Sequence, residues 1–230
     1  MPLSNDMHTA VEALYEAFAD VKKPQVIEGC PCCYEGKHVD VLLATPLREI
    51  GPDMMARYAF SAFKTIGSVA DYLYFLPRIL EISSTLPLWW PEIEVTGRAV
   101  GQTQPQTWRR DRLLALEVLL TAKVSECLDL LAEETDGDAQ ELNSWLCAMD
   151  LMGVDLMPKL RQIETSPPLM AALYCHHAEK LAKGRLNNAF WENSSPGYAV
   201  MRAWFSTQPV RSAVYERLGI ILPSATQEFA

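Results

Sequence analysis

Residues 29–38 read GCPCCYEGKH and put three of the chain's six cysteines within four positions. Cys30 and Cys33 form a Cys-x-x-Cys pair, Cys32 lies inside it, and His38 follows five residues later. Two thiolates at this spacing sit on one tight turn and can grip a tetrahedral Zn²⁺. A structural site needs four ligands, and Cys30, Cys32, Cys33 and His38 supply that number locally. Adjacent cysteines strain to reach one ion, so Cys175, His176 or His177 are alternative contributors. Redox chemistry at a Cys-x-x-Cys needs a strand leading into a helix, and no such frame is readable here. The plain alternative is three reduced thiols in a loop. Zn²⁺ is thus the one cofactor the residues invite, and as a staple rather than a catalyst.

A second group of chemically active residues is acidic. Between Val124 and Pro158 there are nine Asp or Glu and no Lys or Arg, in a chain whose net charge is −9. Glu126, Asp129, Glu133, Glu134, Asp136, Asp138 and Glu141 form the densest part. Such a run is commonly a solvated face. The same field suits docking to a basic protein surface, because opposite potentials steer encounter. Nucleic acid is not an expected partner, since phosphate binding needs clustered positive charge. His176 and His177 are adjacent, so on a helix they point about 100° apart and share no face; the expectation is a partly exposed pair. Arg48, Arg57 and Arg78 lie in apolar helical context with Glu49 and Glu81 nearby. A guanidinium there needs a carboxylate or carbonyl, so Arg48 or Arg78 with Glu49 or Glu81 is expected to clamp neighbouring helices. Gly-x-Ser-x-Gly, phosphate-loop, dinucleotide and His-Glu-x-x-His patterns are missing, and no catalytic residues are assigned.

The elements that position these groups read as helices. Val11, Leu14, Tyr15 and Phe18 mark one face over 7–20. Met55, Tyr58, Ala59, Ala62, Phe63 and Ile66 mark another, opened at Asp53 or the preceding Gly51-Pro52 and stopped at Gly67. Ser68 and Asp71 predict a capping box. The helix that follows contains Pro77, which predicts a kink or break near 73–77. LPLWWPEIEV reads as irregular at first, with Trp89 and Trp90 held between prolines, and 101–107 as a polar loop. The longest helix is 106–132, followed by 137–151, 154–164, 167–183, 185–192 and a last element over 196–217 split at Pro209. Tyr58, Phe63, Leu76, Leu80, Leu116, Leu120 and Trp204 are the expected core. Cys127, Cys147 and Cys175 read as small buried hydrophobes. No run of alternating β-branched residues predicts a strand. The fold class is therefore all-α, an irregular array of antiparallel helix pairs in a single domain over 1–230. No stretch of about 18 apolar residues is present to span a membrane. Without a secretory leader pattern at the N-terminus, the expected address is cytoplasmic.

The CxCC segment followed by TPLREIGPDMMARYAFSAFKTIGSVADYLYFLPRILEI resembles a family of uncharacterised bacterial proteins. Their pattern is Cys-x-x-Cys, then PLRE, RYAFKA, TWGD and FLPRILEL. The ending MRAWFSTQPVRSAVYERL is similar to that family's ending too. Ile66 stands where the family has Trp, and Ser68 where it has Asp. The resemblance implies an all-helical cytosolic bacterial protein and brings no activity or catalytic residues with it. Two functional expectations follow. One is a non-catalytic protein-binding protein, in its concrete form an immunity or antitoxin protein docking a basic toxin. The other is a zinc-stapled regulator or a small helical enzyme.

Overall fold

The computed structural model describes residues 4–30, 36–133 and 139–222, with backbone alone at 36–38 and 130–133. The described residues form eleven α-helices and no strand. They are α1 (Asn5–Ala17), α2 (Gly36–Ala44), α3 (Pro52–Ser61), α4 (Val69–Thr85), α5 (Ile93–Gln102), α6 (Arg110–Glu133), α7 (Gln140–Leu151), α8 (Met157–Ile163), α9 (Pro167–Leu181), α10 (Pro196–Trp204) and α11 (Gln208–Leu218). The all-α class holds, as an irregular array of helix pairs. Compactness divides the chain into Met1–Ala122 and Lys123–Ala230, a boundary that falls inside α6.

In the first unit α4 packs against α1, α3 and α5. It begins where the sequence says it should. Asp71 N–H donates to Ser68 Oγ at 3.3 Å, and Ser68 N–H donates back to Asp71 Oδ2 at 2.8 Å. Two of the orphan donors of a helix start are thereby satisfied. Pro77 does not break the helix, which runs on to Thr85. Leu76, Ile79 and Leu80 are fully buried around it, so tertiary packing supports the helix on both sides of the proline. Tyr72 and Phe75 complete this face, with the Tyr58 ring 4.7 Å from Phe75.

Two elements of this unit differ from expectation. Helix α3 ends at Ser61, and the chain turns at Phe63 with φ of 60°. Phe63 is therefore half-buried rather than core. Its N–H donates to Ile66 O at 3.1 Å, which closes the turn before Gly67. Gly67 has φ of 79°, and a side chain there would meet the Tyr58 hydroxyl at 3.0 Å. Glycine is the residue that tolerates both conditions. The second difference is α5, which forms over Ile93–Gln102 where no helix is expected and runs into the first residues of the expected loop. Val95 and Thr96 and the central Gly97 give it poor helix propensity. Burial of Thr96, Gly97, Ala99 and Val100 supplies what propensity does not. The polar loop shrinks accordingly, and its last three residues form a 3-10 turn at Pro105–Thr107.

In the second unit α7 packs against α9 and α10, and α9 packs against α11. No helix forms over 185–192. Asn188 has φ of 150°, and its Oδ1 accepts from Phe190 N–H at 2.9 Å. This local side-chain bond gives the backbone an alternative to helix. Pro209 sits in the first turn of α11, and the break falls just before it. Tyr58, Leu76, Leu80, Leu116, Leu120 and Trp204 are all buried.

Candidate functional site

The acidic segment is built on the end of α6 and the start of α7. Its organiser is Lys123, whose side chain is only 5% exposed. Lys123 Nζ donates to Glu126 Oε2 at 2.9 Å and pairs with Glu141 Oε1 at 2.8 Å. It also lies 5.9 Å above the Trp145 ring. Burial by itself lowers the ammonium's pKa; the two carboxylates overcome this and hold it above its ordinary value. Burial pushes the neighbouring Cys127 thiol up to about 12, so it stays protonated. Asp129 is exposed. The side chain of Glu133, and Glu134, Asp136 and Asp138 entirely, lie outside the described residues. Sequence reasoning missed Lys123 because it stands one residue before the cation-free run. The spacing from Lys123 to Glu126, three residues on a helix, is the signal that would have found it. Beyond that run the balance reverses, with five acids and eight Lys or Arg from 159 to 230.

Of the sulfur cluster only Cys30 is described, along with the backbone of His38; Cys32, Cys33 and the His38 side chain lie outside. Cys30 N–H donates to Thr65 O at 2.7 Å, and Gly67 N–H donates to Glu28 O at 2.8 Å. These bonds pin the entry of the cysteine segment to the turn after α3. Gly36–His38 already belong to α2, so the helix begins inside the segment read as loop. Among the described residues no group of three His, Cys, Asp or Glu is placed to hold a metal. Cys127 and Cys147 are buried as expected. Cys175 is exposed on α9, against expectation, because α9 turns it away from the face that carries Leu169, Leu173 and His177.

The arginine–glutamate group of the first unit comes together. Arg78 donates through Nε to Ile50 O at 2.9 Å and pairs with Glu81 Oε2 at 2.7 Å. The same Glu81 oxygen accepts from Tyr15 Oη at 2.5 Å. The Arg78–Glu81 pair lies within α4 rather than between helices, and it is Tyr15 and the Ile50 carbonyl that tie α4 to α1 and to the segment before α3. Tyr15 ionises well above its ordinary value, first through burial and then through Glu81. Arg48 finds Glu12 rather than Glu49 or Glu81, with bonds of 2.6 and 2.8 Å, and stacks on the Tyr15 ring at 3.7 Å. The Arg48 fork holds the Glu12 carboxyl below its usual range. Arg57 is exposed.

His176 is partly exposed as expected, but its neighbour His177 is fully buried. His177 Nδ1 accepts from Asn187 N–H at 2.9 Å. The proton of the neutral ring is therefore on Nε2, which is buried without a partner. Desolvation, and secondly His176, depress its pKa to about 3. Asn143 donates to Asn187 O at 2.9 Å and meets His176 Nε2 at 3.1 Å, while its Oδ1 accepts from Trp191 Nε1 at 3.2 Å. Nearby, buried Asp150 accepts from Ser195 Oγ and, at 3.0 Å, from Gly197 N–H at the start of α10. Burial raises the Asp150 pKa against these two donors. The arrangement fastens the 182–195 segment to α7 and α9. No family model, curated protein or solved structure matches this chain. No helix among the described residues is long and apolar enough to cross a membrane.

Proposed function

We propose that the chain is a non-catalytic binding protein that docks a basic protein partner through the acidic segment 126–141, acting in the cytosol. In its sharpest form it is an immunity or antitoxin protein that covers a basic toxin. The observation carrying this reading is the Lys123 clamp. It fixes Glu126 and Glu141 from two helices before any partner arrives, with Glu141 49% exposed and Asp129 exposed beside them in the sequence. Carboxylates already immobilised lose less entropy on docking than free ones. Exposed Asp129 adds steering charge.

The test replaces Asp129, Glu133, Glu134, Asp136 and Asp138 with Lys and leaves Glu126 and Glu141 in place, so the clamp survives. Wild-type protein should retain a basic partner from its native host at low salt and release it as salt rises. The variant should lose it. A partner held equally by both proteins overturns the reading. For the immunity form, the partner expressed alone should arrest growth, and co-expression of the chain should relieve the arrest.

The second reading is a zinc staple at Cys30, Cys32, Cys33 and His38, supported by the two backbone bonds that anchor the Cys30 end. Elemental analysis of protein purified without added metal decides it. Zinc well below one equivalent, with thermal stability indifferent to chelator, removes it.

A further inference from the structure

A cleft of about 570 Å³ opens in the first unit among the end of α1, the 47–49 turn and the middle of α4. Phe18, Leu47, Tyr74 and Pro77 give it apolar walls, and Tyr15 and Arg48 also line it. Arg48 is itself a seated cation, lying on the Tyr15 ring and gripped by Glu12. Two carboxylates line the cleft, Glu16 and Glu49. Both are exposed, and neither bonds another described side chain. Glu12 does not line the cleft but pairs with Arg48, so the lining holds two carboxylates against one cation that is already paired. Lys22 and Lys23, next in the chain after Val21, do not line it.

We propose that this cleft docks a basic segment of a partner protein: an extended stretch whose Arg or Lys pairs with Glu16 and Glu49 while an apolar neighbour packs on Tyr74 and Pro77. The charge left over on the cleft selects a cation. The aromatic and proline walls select a peptide over a small polyamine, which would leave them wet. This shares the expectation of a basic partner with the reading above but rests on different residues in a different unit. Each therefore fails or stands without the other.

The experiment pans a display library of random octapeptides against the full-length chain and measures the enriched peptides by fluorescence anisotropy. The expected pool carries Arg or Lys beside an apolar residue. Affinity should fall about tenfold or more in the Glu16→Gln/Glu49→Gln variant and when the peptide's Arg is replaced by citrulline, as for paired charges at a docking site. Both glutamates are exposed and unpaired, so the variant's melting temperature should match wild type. Tyr74→Ala supplies an independent arm and should weaken binding while keeping the salt dependence. No enrichment, an acidic pool, or equal binding to the double variant overturns the proposal. So does agmatine competing as strongly as the peptides, which would make this a small-cation site.

Discussion

Arg48 and Glu12 in the first unit pair with 51% and 42% of their side chains exposed, whereas in the second unit His177 and Asn143 make their bonds at 0% and 1% exposure. The first unit assembles charge at its surface, over an aromatic ring. The second assembles mostly neutral polar groups and seals them. Exposed pairs are screened by salt and contribute little to stability. Sealed networks are costly to leave incomplete. The difference teaches where each unit is vulnerable: the second to protonation and lost partners, the first chiefly in what it can bind.

Acid should expose that contrast most strongly. The folded pKa of His177, about 3, lies below the unfolded value near 6.5. As pH falls from about 6.5 the unfolded chain takes up the proton first, so stability is whole above that value and is lost progressively toward 3. The slope is up to about 1.4 kcal/mol per pH unit. Urea unfolding from pH 7 to pH 4, followed by tryptophan fluorescence, should show it, and His177→Asn should flatten it. An unchanged slope in that variant would place the acid sensitivity elsewhere.

Gly197→Ala comes next. A methyl group there would overlap the Asp150 carboxylate, with its carbon 2.6 Å from Cγ. The carboxylate must then leave Ser195 and the Gly197 N–H, a loss of about 3 kcal/mol for a buried charge deprived of its partners. In an Asp150→Gly background the same change should cost far less, and additive costs in this double-mutant cycle would refute the coupling. Asn143→Ala should follow at about 1–3 kcal/mol, because it orphans Trp191 Nε1 and the Asn187 carbonyl. Smallest is Arg48→Ala in the first unit, within about 1 kcal/mol by thermal melting. A loss as large as that from Asn143→Ala would erase the distinction between the units.

The sequence was most informative where chemistry is local. Ser68 and Asp71 declared a helix start, Pro52 another, and the 3.6-residue period found most of the core. It was misleading where tertiary contacts overrule propensity. Pro77 is carried through by the packing around it, and α5 forms despite Val95, Thr96 and Gly97. Phe63 shows a periodicity continued past its helix, because one positive-φ turn is invisible to a spacing rule. Over 185–192, bonds from Asn187 and Asn188 to backbone replaced an expected helix. The acidic segment was visible as composition, but its clamp was not, because Lys123 sits just outside the window that composition draws. Arg78 with Glu81 was legible as a pair, while Tyr15 and Glu12, far away in the chain, were not.

Lys123 also gives the molecule a clock. Exposed amines such as Lys22, Lys23 and Lys64 present themselves at once to an acylating reagent. Lys123, under Glu126 and Glu141 and over the Trp145 ring, becomes reactive only when the α6–α7 junction opens. Its modification rate, followed by peptide mass spectrometry, therefore counts local opening events directly. A partner bound over Glu126 and Glu141 would slow that clock without touching the other three.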